Sequence, residues 1–151
     1  MPKFRFRLEV VLRHREQIEK EKQRKLAAIG QRKQALLRQI HETRDRITEE
    51  NRRLGARELT GRLDMQYIAV ERRFVGNLHL RIALAMEKVR EIEKEYSAAR
   101  TELLQAATDR KVIDKLREKH WSAWRLDQDR KEAALTDEIG VQLAVREPIS
   151  D

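Results

Sequence analysis

Apolar residues recur at alternating spacings of three and four between Ile68 and Ile113. Twelve of the fourteen positions in this series are apolar, and the residues between them are mostly charged or polar. The positions are Ile68, Glu71, Val75, Leu78, Ile82, Ala85, Val89, Ile92, Tyr96, Ala99, Leu103, Ala106, Arg110 and Ile113. This spacing predicts an apolar stripe along one side of a long helix. Because a single helix cannot cover such a stripe, another part of the chain must pack against it.

A second stripe, between Leu8 and Leu54, predicts the partner helix. Its apolar members are Leu8, Leu12, Leu26, Ile29, Leu36, Ile40, Ile47 and Leu54. The same frame also passes through polar positions, which are Arg15, Glu19, Lys22, Lys33, Thr43 and Glu50. Gly30 lies inside this helix at a cost of about 1 kcal/mol relative to Ala, which we expect the helix to tolerate.

The residues between the two stripes contain signals for the end of one helix and the start of another. Gly55 can adopt the left-handed conformation that ends a helix, and Thr60 or Asp64 can cap the next one. A connection of about ten residues favours an antiparallel return. The return places Leu54 near Asp64.

We therefore predict an all-α fold, a long two-helix antiparallel coiled-coil hairpin in a single domain over residues 1–151. Helix 1 covers about 8–54, the connection covers 55–63 and helix 2 covers about 64–146. This pairing sets Leu8 near Arg110. Helix 2 is therefore the longer helix, and it overhangs its partner at its C-terminal end.

Both tryptophans, Trp121 and Trp124, fall in the predicted overhang, and arginines lie beside them in the sequence. Their spacing of three residues makes them neighbours on one helix face. Two interpretations remain open. In one, the tryptophans pack on Phe4 and Phe6; in the other, they form a docking patch, since Trp beside Arg is typical of interface anchors.

Composition supports long helices and offers little chemistry. Charged residues make up 40% of the 151 residues, the mean hydropathy is -0.80, and there is no cysteine. The only prolines are Pro2 and Pro148, outside everything periodic. No apolar run approaches the roughly 18 residues of a membrane span, so we expect a cytoplasmic protein. The four histidines lie in no metal-binding motif, and there is no glycine-rich phosphate loop. We expect no catalytic residues, metal, cofactor or small-molecule substrate.

The net charge of +8 favours an acidic partner, and basic residues concentrate in the first fifteen positions. A basic helical hairpin that grips tRNA or rRNA is the alternative function. Acidic residues interleave with the basic ones nearly everywhere else, so nucleic acid is not the expected partner. A third possibility is that residues 3–18 lie on a membrane surface.

Three segments resemble the FliJ family of bacterial flagellar export proteins. The opening from Phe4 to Arg15, FRFRLEVVLRHR, is similar to the family pattern F-x-F-R-L-E-x-V-L-x-x-R. The segment Asp114–Lys119, DKLREK, resembles a stretch of the family's second helix, with Asp114 where Glu is usual. The residues Leu59-Thr60-Gly61, followed by Tyr67, Phe74, Leu78 and Ile82, resemble its inter-helix region.

This resemblance implies a soluble antiparallel coiled coil, similar in shape to the central stalk of rotary ATP synthases. Its implied partners are the flagellar export ATPase hexamer, the cytoplasmic domain of the export gate and export chaperones, at the inner membrane of the flagellar base. The family's gate contact matches Phe74 and Leu78, although Arg81 stands where other members have a small or polar residue. We expect the ATPase to contact the end that carries both termini. The candidate residues there are Phe4, Arg7, Leu8, Arg15, Arg117, Trp121 and Trp124.

Overall fold

The computed structural model describes residues 2–59 and 64–146, which form two long helices packed against each other. Helix α1 spans Glu9–Leu59 and helix α2 spans Met65–Arg146. The described residues contain no strand, and residues 2–6 precede α1 without regular secondary structure. The predicted all-α hairpin with a longer second helix is confirmed. Thr60, proposed above as a possible helix cap, lies outside the described residues.

Helix α1 continues through both of its glycines, so the predicted helix end at Leu54 is wrong. The helix passes Gly55, whose Cβ position would be open space, and ends at Leu59. At Gly30, an added Cβ would lie 3.6 Å from Cε2 of Tyr96, which is ordinary contact. A glycine costs a helix only about 1 kcal/mol, and a long packed helix readily offsets that amount.

The start of α2 is capped by Asp64, as its sequence position predicts. Oδ1 of Asp64 accepts hydrogen bonds from the backbone N–H groups of Gln66, at 3.1 Å, and Tyr67, at 3.4 Å. The Asp64 carbonyl accepts a bond from the Ile68 N–H at 3.0 Å. These bonds satisfy donors that the first helical turn leaves without an intrahelical partner.

Both predicted stripes are confirmed by burial. Every one of the fourteen positions listed for α2 is buried or half-buried, including the polar Glu71 and Arg110. The α1 stripe behaves in the same way, and its six polar positions are half-buried rather than buried. The polar side chains therefore lie at the edge of the contact between helices, where their charged ends can still reach water.

The chain divides into two compact units. The first, which we call the hairpin unit, comprises Lys20–Leu104. Its core contains two clusters of buried side chains. One consists of Ile40, Ile47, Leu78, Ile82 and Val89, and the other of Ile29, Ile92 and Ala99. Whether the whole chain behaves as a single domain stays a prediction.

Ion pairs across the two helices flank the core of the hairpin unit. Nζ of Lys22 lies 3.0 Å and Nζ of Lys25 lies 3.3 Å from Oε2 of Glu102. Hydrogen bonds from these two lysines lower the pKa of Glu102. Arg32 pairs with Glu95 at 3.2 Å in the same antiparallel sense. Such exposed pairs contribute little stability individually, but they favour one alignment of the helices over others.

The second unit, the terminal unit, comprises Met1–Glu19 and Gln105–Asp151. Here the stripe carries a polar cluster instead of a continuous apolar core. The guanidinium of Arg110 bonds the carboxylates of Glu19 and, at 3.2 Å, Asp114. Arg15 pairs with Asp109 at 3.1 Å. All of these side chains are only partly exposed, so removing one partner would leave a charge poorly solvated.

The terminal unit also corrects the predicted alignment of the helices. Glu9 binds Arg117 at 3.1 Å, so the start of α1 lies about one heptad further along α2 than the predicted contact of Leu8 with Arg110. The hairpin unit agrees, because the guanidinium of Arg57 lies over the ring of Tyr67, 4.2 Å from its centroid. The later end of α1 accounts for the shift. Because α1 ends at Leu59 instead of Leu54, each α1 residue pairs with an α2 residue further along the chain than predicted.

The overhang of α2 is confirmed but begins further along than expected. Within the terminal unit, residues as late as Trp124 pack against the N-terminal segment. From position 125 to 146, all residues except the half-buried Gln128 are exposed. This stretch amounts to about six helical turns.

Candidate partner-binding site

The N-terminal segment packs against α2 through its even-numbered side chains. Phe6 is buried, with 8% exposure, and its ring meets the edge of His120 at a centroid distance of 5.6 Å. Phe4 is half-buried, and its ring packs near Trp124 with a distance of 5.8 Å between the ring centroids. The Glu9 N–H donates to the Phe6 carbonyl at 3.2 Å and joins the segment to α1. The two phenylalanines therefore cover part of the α2 surface around His120 and Trp124, which was predicted to have no partner helix.

The two tryptophans have different surroundings. Trp124 is half-buried beneath Phe4, which agrees with the packing interpretation. Trp121 is 44% exposed, and the guanidinium of Arg125 lies 5.4 Å from its ring centroid. A shallow concavity of about 250 Å³ lies beside Trp121 and is lined also by Arg117 and Glu118. Only Trp121 therefore retains the exposure expected of a docking residue.

The other candidates for the ATPase contact also lie in the terminal unit. Arg7 is exposed, and Leu8 is half-buried at the start of the α1 stripe. Arg15 and Arg117 are held by Asp109 and Glu9, respectively. A guanidinium has five N–H donors, so an arginine in a single ion pair can still bind a second acceptor. The terminal unit thus contains all of the predicted aromatic and basic residues, with Arg15 paired further back along α2 than Arg117.

The two candidates for the gate contact lie in the hairpin unit with unequal access to solvent. Leu78 is only 2% exposed and belongs to the core. Phe74 is half-buried against that cluster, and the guanidinium of Arg46 lies 4.9 Å from its ring centroid. A partner can therefore touch the ring of Phe74, whereas Leu78 lies inside the buried cluster against which that ring packs.

Sequence reasoning missed a groove next to this region. Leu80 and Leu84 are each 58% exposed and lie four residues apart, so they share one face of α2. Leu84 borders a groove of about 380 Å³, which is lined also by Arg81 and Lys88 of α2 and by Glu42 of α1. The sequence did contain a signal for this groove, because Leu80 and Leu84 are apolar residues that lie outside the apolar stripe.

The described residues show no arrangement for metal binding or membrane crossing. Within residues 2–59 and 64–146, no group of three or more acidic or histidine side chains is placed to hold a metal ion. No helix in the same residues is both long enough and apolar enough to cross a bilayer. The geometry offers surfaces for binding other molecules.

Together, the paired stripes, the capped return helix and the longer α2 define a coiled-coil hairpin protein. A family model described as flagellar FliJ protein matches residues 4–148, nearly the whole chain. The chain belongs to the FliJ family, whose members are non-catalytic components with a role related to flagellar export. Neither the comparison with curated proteins nor the comparison with solved structures gives a match.

Proposed function

We propose that this protein is a non-enzymatic component of the flagellar type III export apparatus that binds the export ATPase ring and the export gate. By doing so it promotes secretion of flagellar subunits, and it also escorts export chaperones. The proposal places it in the cytoplasm, associated peripherally with the inner membrane at the flagellar base. The observation that carries the proposal is the family match over residues 4–148.

The terminal unit is the proposed contact for the ATPase. Its support is the exposed Trp121 beside Arg117 and Arg125, because large aromatic side chains next to arginine are the usual centre of protein interfaces. Phe4, Leu8 and Trp124 would act beneath this surface by holding the N-terminal segment on α2. The charged members, Arg7, Arg15 and Arg117, would supply donors to acidic groups of the ring.

The hairpin unit is the proposed contact for the export gate. Phe74 offers a large apolar surface that is only partly covered, and Arg46 over its ring adds a cationic edge. Leu78 takes part as the buried residue on which Phe74 rests. The distance in sequence between Phe74 and Trp121 allows the two contacts to be tested separately.

Replacing Phe74 with Ala is expected to weaken binding to the cytoplasmic domain of the gate by about tenfold, because a buried interface anchor usually carries that much affinity. Far-UV circular dichroism at 25 °C should remain that of a fully helical protein, since Phe74 lies at the edge of its core cluster. Binding is measured by calorimetry with purified components.

Tyr67→Ala is the matched control, because Tyr67 is also an α2 aromatic that lies under an arginine. The control should retain gate affinity within a factor of about two. A loss of helicity in Phe74→Ala would show that the ring is needed for the fold. Equal gate affinities for the two variants would place the gate contact elsewhere.

A further inference from the structure

The N-terminal segment separates apolar and basic side chains onto opposite sides. Phe4, Phe6 and Leu8 are half-buried or buried, whereas the alternating Lys3, Arg5 and Arg7 are all exposed. The rings of Phe4 and Phe6 pack on side chains of α2, and the cations that alternate with them in the sequence are left on the solvent side. The contacts with α2 thus hold a row of positive charge outward.

The first turns of α1, which follow this segment directly in the chain, expose a further cation at Arg13. Val10, Arg13, His14 and Gln17 follow helical spacing, lie on one face of α1 and are all exposed. Val10 is 78% exposed, so its aliphatic side chain is available at the surface. We call Lys3, Arg5, Arg7, Val10 and Arg13 the N-terminal basic patch.

No carboxylate among the described residues neutralises the cations of this patch. Among residues 2–59 and 64–146, ion pairs are present along much of both helices, and none of them involves Lys3, Arg5, Arg7 or Arg13. The single acidic residue among positions 2–15 is Glu9, and Arg117 already binds its carboxylate. The patch is therefore a concentrated positive charge in a chain whose other charges are largely interleaved.

We propose that the N-terminal basic patch binds the anionic head groups of phospholipids at a membrane surface. Clustered Lys and Arg side chains gain favourable energy near an anionic bilayer, and an exposed aliphatic residue among them can enter the head-group boundary. The inference goes beyond the proposed ATPase and gate contacts, and Arg7 is the one residue that the patch shares with the ATPase contact. It assigns a direct lipid contact to a protein that has no membrane-spanning helix in its described part.

The arrangement of the aromatic rings favours lipid over single-stranded nucleic acid. Proteins that grip single strands combine positive charge with exposed aromatic rings on which bases stack. Next to the patch both rings of the N-terminal segment, Phe4 and Phe6, pack on α2, and the exposed Trp121 lies outside the patch, on α2 itself. The outward side presents cations and the aliphatic Val10, which suit a surface of phosphates above an apolar layer.

Binding to vesicles tests the proposal directly. The full-length protein should sediment with vesicles of phosphatidylglycerol and phosphatidylcholine, and it should remain free with vesicles of phosphatidylcholine alone. The association should be lost at about 0.5 M salt, because screening shortens the reach of surface charge to a few ångströms. The triple variant Lys3→Gln, Arg5→Gln, Arg13→Gln should bind anionic vesicles at least about tenfold more weakly. Arg7 is retained because it belongs to the proposed ATPase contact.

A matched triple variant, Arg24→Gln, Arg38→Gln, Lys94→Gln, removes the same number and type of exposed cations from other parts of the helices. It should keep vesicle affinity within a factor of about two. An equal loss in both triple variants would show that only net charge matters and would overturn the patch. Absence of binding to anionic vesicles, or binding to an RNA oligonucleotide in its place, would also overturn the proposal.

Discussion

Replacing Ile92 with Asp is expected to lower the free energy of unfolding by about 3–5 kcal/mol, the largest stability loss in this account. Ile92 is 6% exposed and packs in a cluster with Ile29 and Ala99. An aspartate there would bury a carboxylate with no cation provided for it, and it would also remove apolar contact with α1. The midpoint of thermal unfolding should fall by about 10 °C or more.

Two controls separate burial from the other effects of the substitution. Leu80→Asp introduces the same carboxylate on α2 at a leucine that is 58% exposed, and we expect it to cost less than about 1 kcal/mol. Glu91→Ala changes the neighbouring exposed position and should change the free energy of unfolding by no more than about 0.5 kcal/mol. Equal melting midpoints for Ile92→Asp and Glu91→Ala would contradict the packing of the helices described here.

The second large effect is expected at the tryptophans. Replacing both Trp121 and Trp124 with Ala should weaken binding to the export ATPase at least about tenfold. The single substitutions should act differently. Trp121→Ala removes an exposed ring beside Arg125, whereas Trp124→Ala removes the surface on which Phe4 rests. Leu84→Ala, which truncates an exposed side chain in the hairpin unit, serves as the control and should leave ATPase affinity unchanged.

Tryptophan emission gives an independent measurement of the same contact. In Trp124→Phe the exposed Trp121 is the sole reporter. Its emission should shift to shorter wavelength when the ATPase is added, after the emission of the ATPase alone has been subtracted. The substitution keeps an aromatic ring beneath Phe4. An emission spectrum that the ATPase leaves unchanged, together with full affinity in the double Ala variant, would place the contact outside the terminal unit.

The sequence was sufficient to predict which residues face the other helix. Ile68, Ile92 and Ile113 belong to one repeating pattern, and the spacing of a helix places such residues on one side whatever the partner is. Burial of all fourteen α2 positions follows from this local rule. The cap at Asp64 was predictable for the same reason, because a capping side chain acts on backbone groups only two or three residues away.

The alignment of the two helices was not predictable in this way. Apolar stripes that repeat every seven residues fit one another almost equally well after a shift of one heptad. The choice depends on pairs such as Glu9 with Arg117 and Arg15 with Asp109, whose partners are about a hundred residues apart in sequence. The continuation of α1 through Gly55 was missed because packing outweighs the modest cost of one glycine.

The candidate site was predicted in part. The sequence identified Phe4, Trp121 and Trp124 and left open whether the aromatic residues pack together or remain exposed. The structure pairs Phe4 with Trp124 and leaves Trp121 outward. A spacing of three residues places the tryptophans on neighbouring parts of one helix face, but which of them an incoming segment covers depends on the path of that segment.

Export of flagellar subunits by cells that lack this protein tests the central claim most directly. The quantity measured is the amount of flagellar subunit in the culture supernatant relative to the amount inside the cells. Loss of the protein should reduce this ratio strongly, the intact chain should restore it, and the chain with Trp121→Ala and Trp124→Ala should restore it only in part. An unchanged ratio in cells without the protein would contradict a role in flagellar export.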